Sequence, residues 1–192
     1  MLFRSVVGHQ ALSLSFCDVE ITAANIATDA NFEALRYASA VFSLLLDTYS
    51  VGIAAECLRR SVEYTSARCQ FGHPVGAFQA VQHMAAEIHV RVETSRSSVL
   101  AAARAVASDN ADAADLIAVS RLHCAASAQT AAEIAIQMHG GAGFTWEFGL
   151  HHLYRAAMFA RHYLTNEDGL RQKLAASIRG RARSAIAEKE AA

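Results

Sequence analysis

Proline is almost missing from this sequence: Pro74 stands alone among 192 residues. Proline punctuates turns and sheet edges, so its scarcity speaks against many short strands and for a few long helices. Charge of one sign is missing too. Seventeen basic residues face 18 acidic ones, and no basic stripe accumulates. That excludes the electrostatic footprint of a nucleic-acid binder. No run reaches the roughly 18 apolar residues of a membrane span. The densest stretch, Ala40 to Leu46, is already interrupted by Ser43. The start, Met1-Leu2-Phe3-Arg4, lacks the apolar core of a signal peptide. The four cysteines (Cys17, Cys57, Cys69 and Cys124) form no CxxC pair, which argues against a zinc site or disulfide framework and for reduced thiols in a cytoplasmic protein.

What is present is apolar periodicity, with 53% hydrophobic against 18% charged residues, enough for a sizeable core. In residues 11–21, Leu12, Leu14, Phe16 and Val19 alternate with polar positions, which predicts one strand with a buried face and no partner strand in the chain. From about residue 30 the spacing becomes helical. Leu35, Ala38, Phe42, Leu45, Tyr49, Ile53 and Cys57 mark a first helix running to about Ala67. A second is expected from about Phe78 to Ala107, with Val81, Met84, Ile88, Val92, Ser95, Val99 and Val106 on one face. A third covers about Asp112 to Met138 and stops at Gly140-Gly141-Ala142-Gly143. Two shorter helices follow, Leu150 to Tyr163 and Glu167 to Ile178, and the tail from Arg179 is expected to fray. The fold class is therefore all-α, an antiparallel up-down bundle preceded by a short strand. Three units are expected: residues 1–29 as a linker with one strand, 30–178 as the bundle, and 179–192 as a charged tail.

Two segments exceed what a bundle needs. In Arg68-Cys69-Gln70-Phe71-Gly72-His73-Pro74, followed by Phe78-Gln79-Ala80-Val81-Gln82, an arginine at a helix end offers a fork of donors suited to a pyrophosphate. In Gln137-Met138-His139-Gly140-Gly141-Ala142-Gly143-Phe144, glycines let the backbone approach a ligand, and the glutamine amide both donates and accepts. Either segment alone is weak, because glycine at a helix end is most often a cap.

Together and in this order they resemble the acyl-CoA dehydrogenase family, whose C-terminal helical domain carries R-x-x-F-G-x-P…F-Q-x-V-Q and, later, Q-x-H-G-G-x-G-F. The resemblance covers about residues 11–178. Asp18-Val19-Glu20-Ile21 with Asn25 looks like the exit from the family's middle β-domain, and Gly143-Phe144-Thr145-Trp146-Glu147 with Arg155 matches its last third. What the resemblance implies is an FAD cofactor contacted by Arg68 and Phe71 at the pyrophosphate, by Phe78 and Gln79, and by the loop Gln137, Met138, His139, Gly140 and Gly141. In the family these contacts reach across a subunit interface, so a homo- or hetero-oligomer with acyl-CoA-dehydrogenase-like subunits is implied, with an acyl-CoA as substrate of the assembled complex.

One feature departs from the family. Its glutamate, which removes the α-proton of the thioester, sits in a Tyr-Glu-Gly-Thr segment; gap-free counting puts Leu164 there, after Tyr163, with Asn166 in place of the threonine. Some members carry the base on the first long helix, where Phe42 stands. Glu167 and Asp47 are the nearby carboxylates, and a lone carboxylate on a helix is usually solvated. The sequence therefore predicts a subunit that supports FAD while a partner supplies the base; the alternative is a non-catalytic helical interaction module. No metal site is expected: His151 and His152 are read as pointing to different helix faces, with no carboxylate completing a set.

Overall fold

A computed structural model describes residues 2–6, 9–13, 15–26, 29–163 and 166–190, and side chains are described from residue 15 except at 29–31, 188 and 190. Two strands, β1 (Leu2–Val6) and β2 (His9–Ser13), pair antiparallel with Leu2 opposite Ser13. Five α-helices follow: α1 (Asp29–Ala67), α2 (Gln79–Ala107), α3 (Ala113–His139), α4 (Leu150–His162) and α5 (Glu167–Glu190). Between α1 and α2 lies a tight hairpin of β3 (Cys69–Gln70) and β4 (His73–Pro74).

The bundle is the expected one, with helix ends within about two residues of the spacing-based boundaries. The beginning differs. The strand predicted over 11–21 ends at Ser13 and does have a partner, β1. Phe16, Val19 and Ile21 are 77%, 58% and 72% exposed, so the alternating pattern has no face to bury against in this chain. The tail also differs. Instead of fraying at 179, α5 continues to Glu190, tied to the start of α3 by Arg181 on Asp112 and Asp115 and by the Ser177 hydroxyl donating to Asp115 at 2.6 Å.

α3 is the central helix, packing on α1, α2, α4 and α5. Its buried face is built of small residues, among them Ala118, Ala125, Ala128, Ala131, Ala132 and Ala135, which let neighbouring backbones approach closely. The core continues through Ile53, Cys57, Ile88, Val92, Met138 and Leu150. Burial pushes the thiols of Cys57 and Cys124 up, to about 12 and about 11, so both are inert packing groups at neutral pH.

The apolar stripe read from the sequence on α1 is buried in its second half, at Ile53 and Cys57, and not in its first. Leu35, Phe42, Leu45 and Tyr49 stay exposed. Alongside Ile53, burial follows Asp47, Ser50, Ala54, Cys57, Ser61 and Thr65, three to four residues apart. Hydroxyls fit there by bonding back along the helix, Ser50 to Leu46 O at 2.9 Å and Thr65 to Ser61 O at 2.7 Å. By length and composition alone, Phe32–Ala67 is apolar enough to cross a membrane. It is nevertheless integrated into the bundle, packed along α2, α3 and α4, with Asp47 buried and Glu56, Arg59, Arg60 and Glu63 on its second half.

Asp47 corrects the expectation of a solvated carboxylate. It is wholly buried, accepting from the Ser120 hydroxyl at 2.7 Å and from Arg121 Nη1 at 3.1 Å. Arg121 also donates to the Ala160 carbonyl near the end of α4, so the pair clamps α1, α3 and α4 together.

Candidate cofactor site

The two segments singled out in the sequence lie against each other at one end of the bundle. α1 ends at Ala67, and the Arg68 N–H still caps Tyr64 O at 2.9 Å. The chain reverses through Phe71 and Gly72, both left-handed (φ 54° and 83°), and closes with Val75 N–H on Arg68 O at 2.7 Å. Gly72 suits that conformation. Phe71 adopts it at a cost of about 1–2 kcal/mol, with its ring 89% exposed, and packs only edge-on to Phe78 at 6.3 Å. Such strain under a solvent-facing aromatic marks a position shaped for contact rather than for stability.

Opposite the hairpin, α3 stops because Gly140 takes φ 59° and ψ −136°, a region essentially reserved for glycine. Three residues on, a side chain at Gly143 would place its Cβ 2.5 Å from Ile136 O, so the loop folds tightly back on the helix it leaves. Between hairpin and loop lies an open cavity of about 680 Å³ lined by Arg68, Gln70, Val75, Val81, Met84, Gln137, Met138, His139, Gly140, Gly141 and Ala142, with Tyr64 and Phe148.

Six of the nine residues expected at a cofactor line this cavity: Arg68, Gln137, Met138, His139, Gly140 and Gly141. Phe71, Phe78 and Gln79 do not; Phe71 and Phe78 pair with each other and Gln79 opens α2. The sequence missed Tyr64 and Phe148. They form an aromatic box around His139: Tyr64 stacks on the imidazole (4.3 Å, 17°) and Phe148 meets both rings edge-on. Tyr64 sits one helical turn before Arg68, and that was its only sequence signal. Arg60 Nη1 holds the box by donating to Phe148 O at 3.2 Å. Burial and the nearby Arg60 guanidinium lower the His139 pKa, opposed by its bond to Ala135 O, so the ring is neutral at pH 7.

The polar groups in the cavity are not consumed internally. Arg68 has no acidic partner among the described residues, and the Gln137 amide makes no hydrogen bond there. An unpaired guanidinium, an unpaired amide and a glycine-bent backbone facing one apolar-walled hollow fit the phosphate and polar edges of a dinucleotide cofactor.

Phe42 and Leu164 are the two positions where the resemblance to the family predicts a base. The Phe42 ring lies 6.0 Å from that of Tyr163; Leu164 itself lies outside the described residues. Glu167 is engaged as a structural group. It binds Arg161 at 2.6 Å and Arg171 at 3.2 Å, and Arg161 chiefly lowers its pKa. Contrary to the separate directions read from the sequence, His151 and His152 converge, ring centroids 3.9 Å apart, with Trp146 4.3 Å from His151. Trp146 lies over the first turn of α4 and gathers both rings. Among the described residues, no three ligating side chains come together as a metal site.

The fold and site define an α-helical bundle domain with an arginine hairpin and a glycine-bent loop on one cavity. The family described as acyl-CoA dehydrogenase, C-terminal domain, matches residues 43–178, and the chain belongs to it. Acyl-CoA dehydrogenase IpdE2 of Mycobacterium tuberculosis (strain ATCC 25618 / H37Rv) is 33% identical over 136 residues, 71% of this chain and 41% of that protein. The probable acyl-CoA dehydrogenase YngJ of Bacillus subtilis (strain 168) is 31% identical over 79% of this chain and 40% of its own length. The chain thus spans about two fifths of these relatives. Among solved structures, PigA with FAD and proline is 29% identical, with a TM-score of 0.68 over 71% of this chain and 35% of that one. Butyryl-CoA dehydrogenase from Megasphaera elsdenii, 22% identical, shares the fold, with a TM-score of 0.80 over 92% of this chain and 47% of its own.

Proposed function

We propose that this chain holds FAD in an acyl-CoA-dehydrogenase-type assembly that desaturates an acyl-CoA thioester at its α,β bond. The observation that carries the reading is the unpaired Arg68 beside an unpaired Gln137 amide on one cavity. A scaffold has no physical need for both. In the assembly Arg68 binds the pyrophosphate, and the backbone of Gly140 and Gly141 together with Gln137 takes polar edges of the same cofactor. Phe71 and Phe78, standing outside the cavity, meet the subunit that holds the rest of the cofactor. FAD, when bound, supplies the acceptor for the hydride leaving the substrate's β-carbon.

The base is proposed to come from a partner. An α-proton of a thioester is weakly acidic and needs a positioned carboxylate near its own pKa range. Phe42 offers none at one family seat, and Leu164 none at the other. Glu167, saturated by two arginines and lowered in pKa, is a poor acceptor. A second reading, a helical interaction module without cofactor, draws on the exposed apolar positions of α1, among them Phe32, Leu35, Phe42 and Leu45. Flavin absorbance separates the two. The chain, purified alone and with whatever acyl-CoA-dehydrogenase-like chains co-purify, is expected to carry FAD in the complex; a colourless complex favours the module.

A further inference from the structure

The geometry points to His139 as a fixed hydrogen-bond acceptor in this cavity, selecting a ligand group that donates an N–H or O–H rather than one offering an oxyanion. The identity of the ligand rests on the FAD reading above; the state of the ring does not. His139 Nδ1 lies 2.8 Å from Ala135 O. A carbonyl can only accept, so Nδ1 carries the hydrogen, and the neutral ring leaves Nε2 as a lone-pair acceptor. The residue is only 4% exposed, yet Nε2 is not among the sealed, unpaired atoms and has no partner among the described residues. His139 lines the cavity, and Nε2 is the ring nitrogen left for a ligand there.

The ring cannot readily turn. Tyr64 covers one face, Phe148 abuts its edge, and a flip would break the bond to Ala135. Nor is it set up to be a cation. The charged and titratable groups facing it are Tyr64 and Arg60 from α1, with Arg68 on the cavity wall, and none of the lining residues is a carboxylate. Burial and the Arg60 guanidinium both oppose a positive charge on the ring. The cavity therefore divides its work. Arg68 serves the anionic part of a ligand, and His139 serves a donor such as an exocyclic amine, a ring imide N–H or a sugar hydroxyl.

The test is ¹⁵N-histidine NMR of the full chain, labelled by itself and then in its native complex with FAD titrated in, alongside FAD affinity of the complexes carrying His139→Phe and His139→Gln. The expected result is a His139 ring protonated at Nδ1 alone at neutral pH, with the Nε2 resonance moving as FAD binds. His139→Phe keeps the stack on Tyr64 but removes the acceptor, and is expected to weaken FAD roughly 3- to 10-fold, with part regained in His139→Gln. A protonated Nε2 in the ligand-free chain overturns the inference, even if the variants fail to fold. FAD binding that leaves Nε2 unmoved overturns it while the FAD reading stands. No FAD binding by the wild-type chain in its native complex removes both the FAD reading and the ligand proposed here.

Discussion

Replacing Asp47 with alanine strips the counter-ion from a cation that has nowhere to go. The Arg121 side chain is 4% exposed and that of Asp47 fully buried, so solvent cannot substitute for the lost carboxylate. Arg121 keeps only part of its bonding, including the Ala160 carbonyl, and the Ser120 hydroxyl loses its acceptor. Removing one partner of a buried pair costs about 3–5 kcal/mol, because the survivor remains as an uncompensated charge. Against a total stability of about 5–15 kcal/mol this is roughly a fifth or more. For a domain of this length it corresponds to a fall in Tm of about 6–20 °C. Urea unfolding followed by far-ultraviolet circular dichroism measures it. Asp47→Leu combined with Arg121→Met removes both charges and is expected to recover most of the loss. A single Asp47→Ala shift below about 1 kcal/mol would refute the reasoning, since it would mean that Arg121 finds water or another anion.

Further outcomes are expected. Gly143→Ala places a methyl 2.5 Å from Ile136 O, so the 140–144 loop must move; FAD affinity should drop at least as much as stability, read by titration and urea midpoint together. Glu167→Gln should leave dehydrogenation by an active complex nearly intact, whereas loss of a true general base costs about two to four decades in rate; an inactive complex that still binds flavin would make Glu167 the base. Acid should weaken the fold through carboxylates held low by arginines. Glu56 is held down to about 2 by Arg59 and Arg60, and Glu167 is lowered by Arg161. Lowered folded-state values mean that their contributions are present above about pH 4.5 and drain away as pH falls towards 2. Glu56→Gln should show a shallower loss over that window, and an identical profile would argue against the arginine pairing.

Local signals were legible in the sequence, and meetings between distant residues were not. Helical spacing and the breaks at Gly72-His73-Pro74 and Gly140-Gly141 set the helix ends closely, because those features act within a turn of where they stand. The stripe on α1 held at Ile53 and Cys57 but failed from Leu35 to Tyr49, because burial there follows tertiary partners. Asp47 is inside only because Arg121, 74 residues away, is there to meet it. α5 outlasts its composition for the same reason, its Arg181 being held by Asp112 and Asp115 from the start of α3. The partner of β2 went unseen because the alternation over residues 11–21 marks one strand and carries no sign of what pairs with it. At the site, Arg68 and the Gln137–Gly141 loop announced themselves by motif. Tyr64 and Phe148 did not, since an aromatic box is made by three segments folding together.

The central claim is that Arg68 is an arginine kept unpaired for a cofactor phosphate, and FAD affinity of the wild-type chain or its native complex against Arg68→Ala tests it most directly. A charge-assisted bond to phosphate is worth about 1.5–3 kcal/mol, so the variant should bind FAD one to two decades more weakly with its unfolding midpoint unchanged. Equal FAD affinity in wild type and Arg68→Ala would contradict the account and take the cofactor away from this cavity.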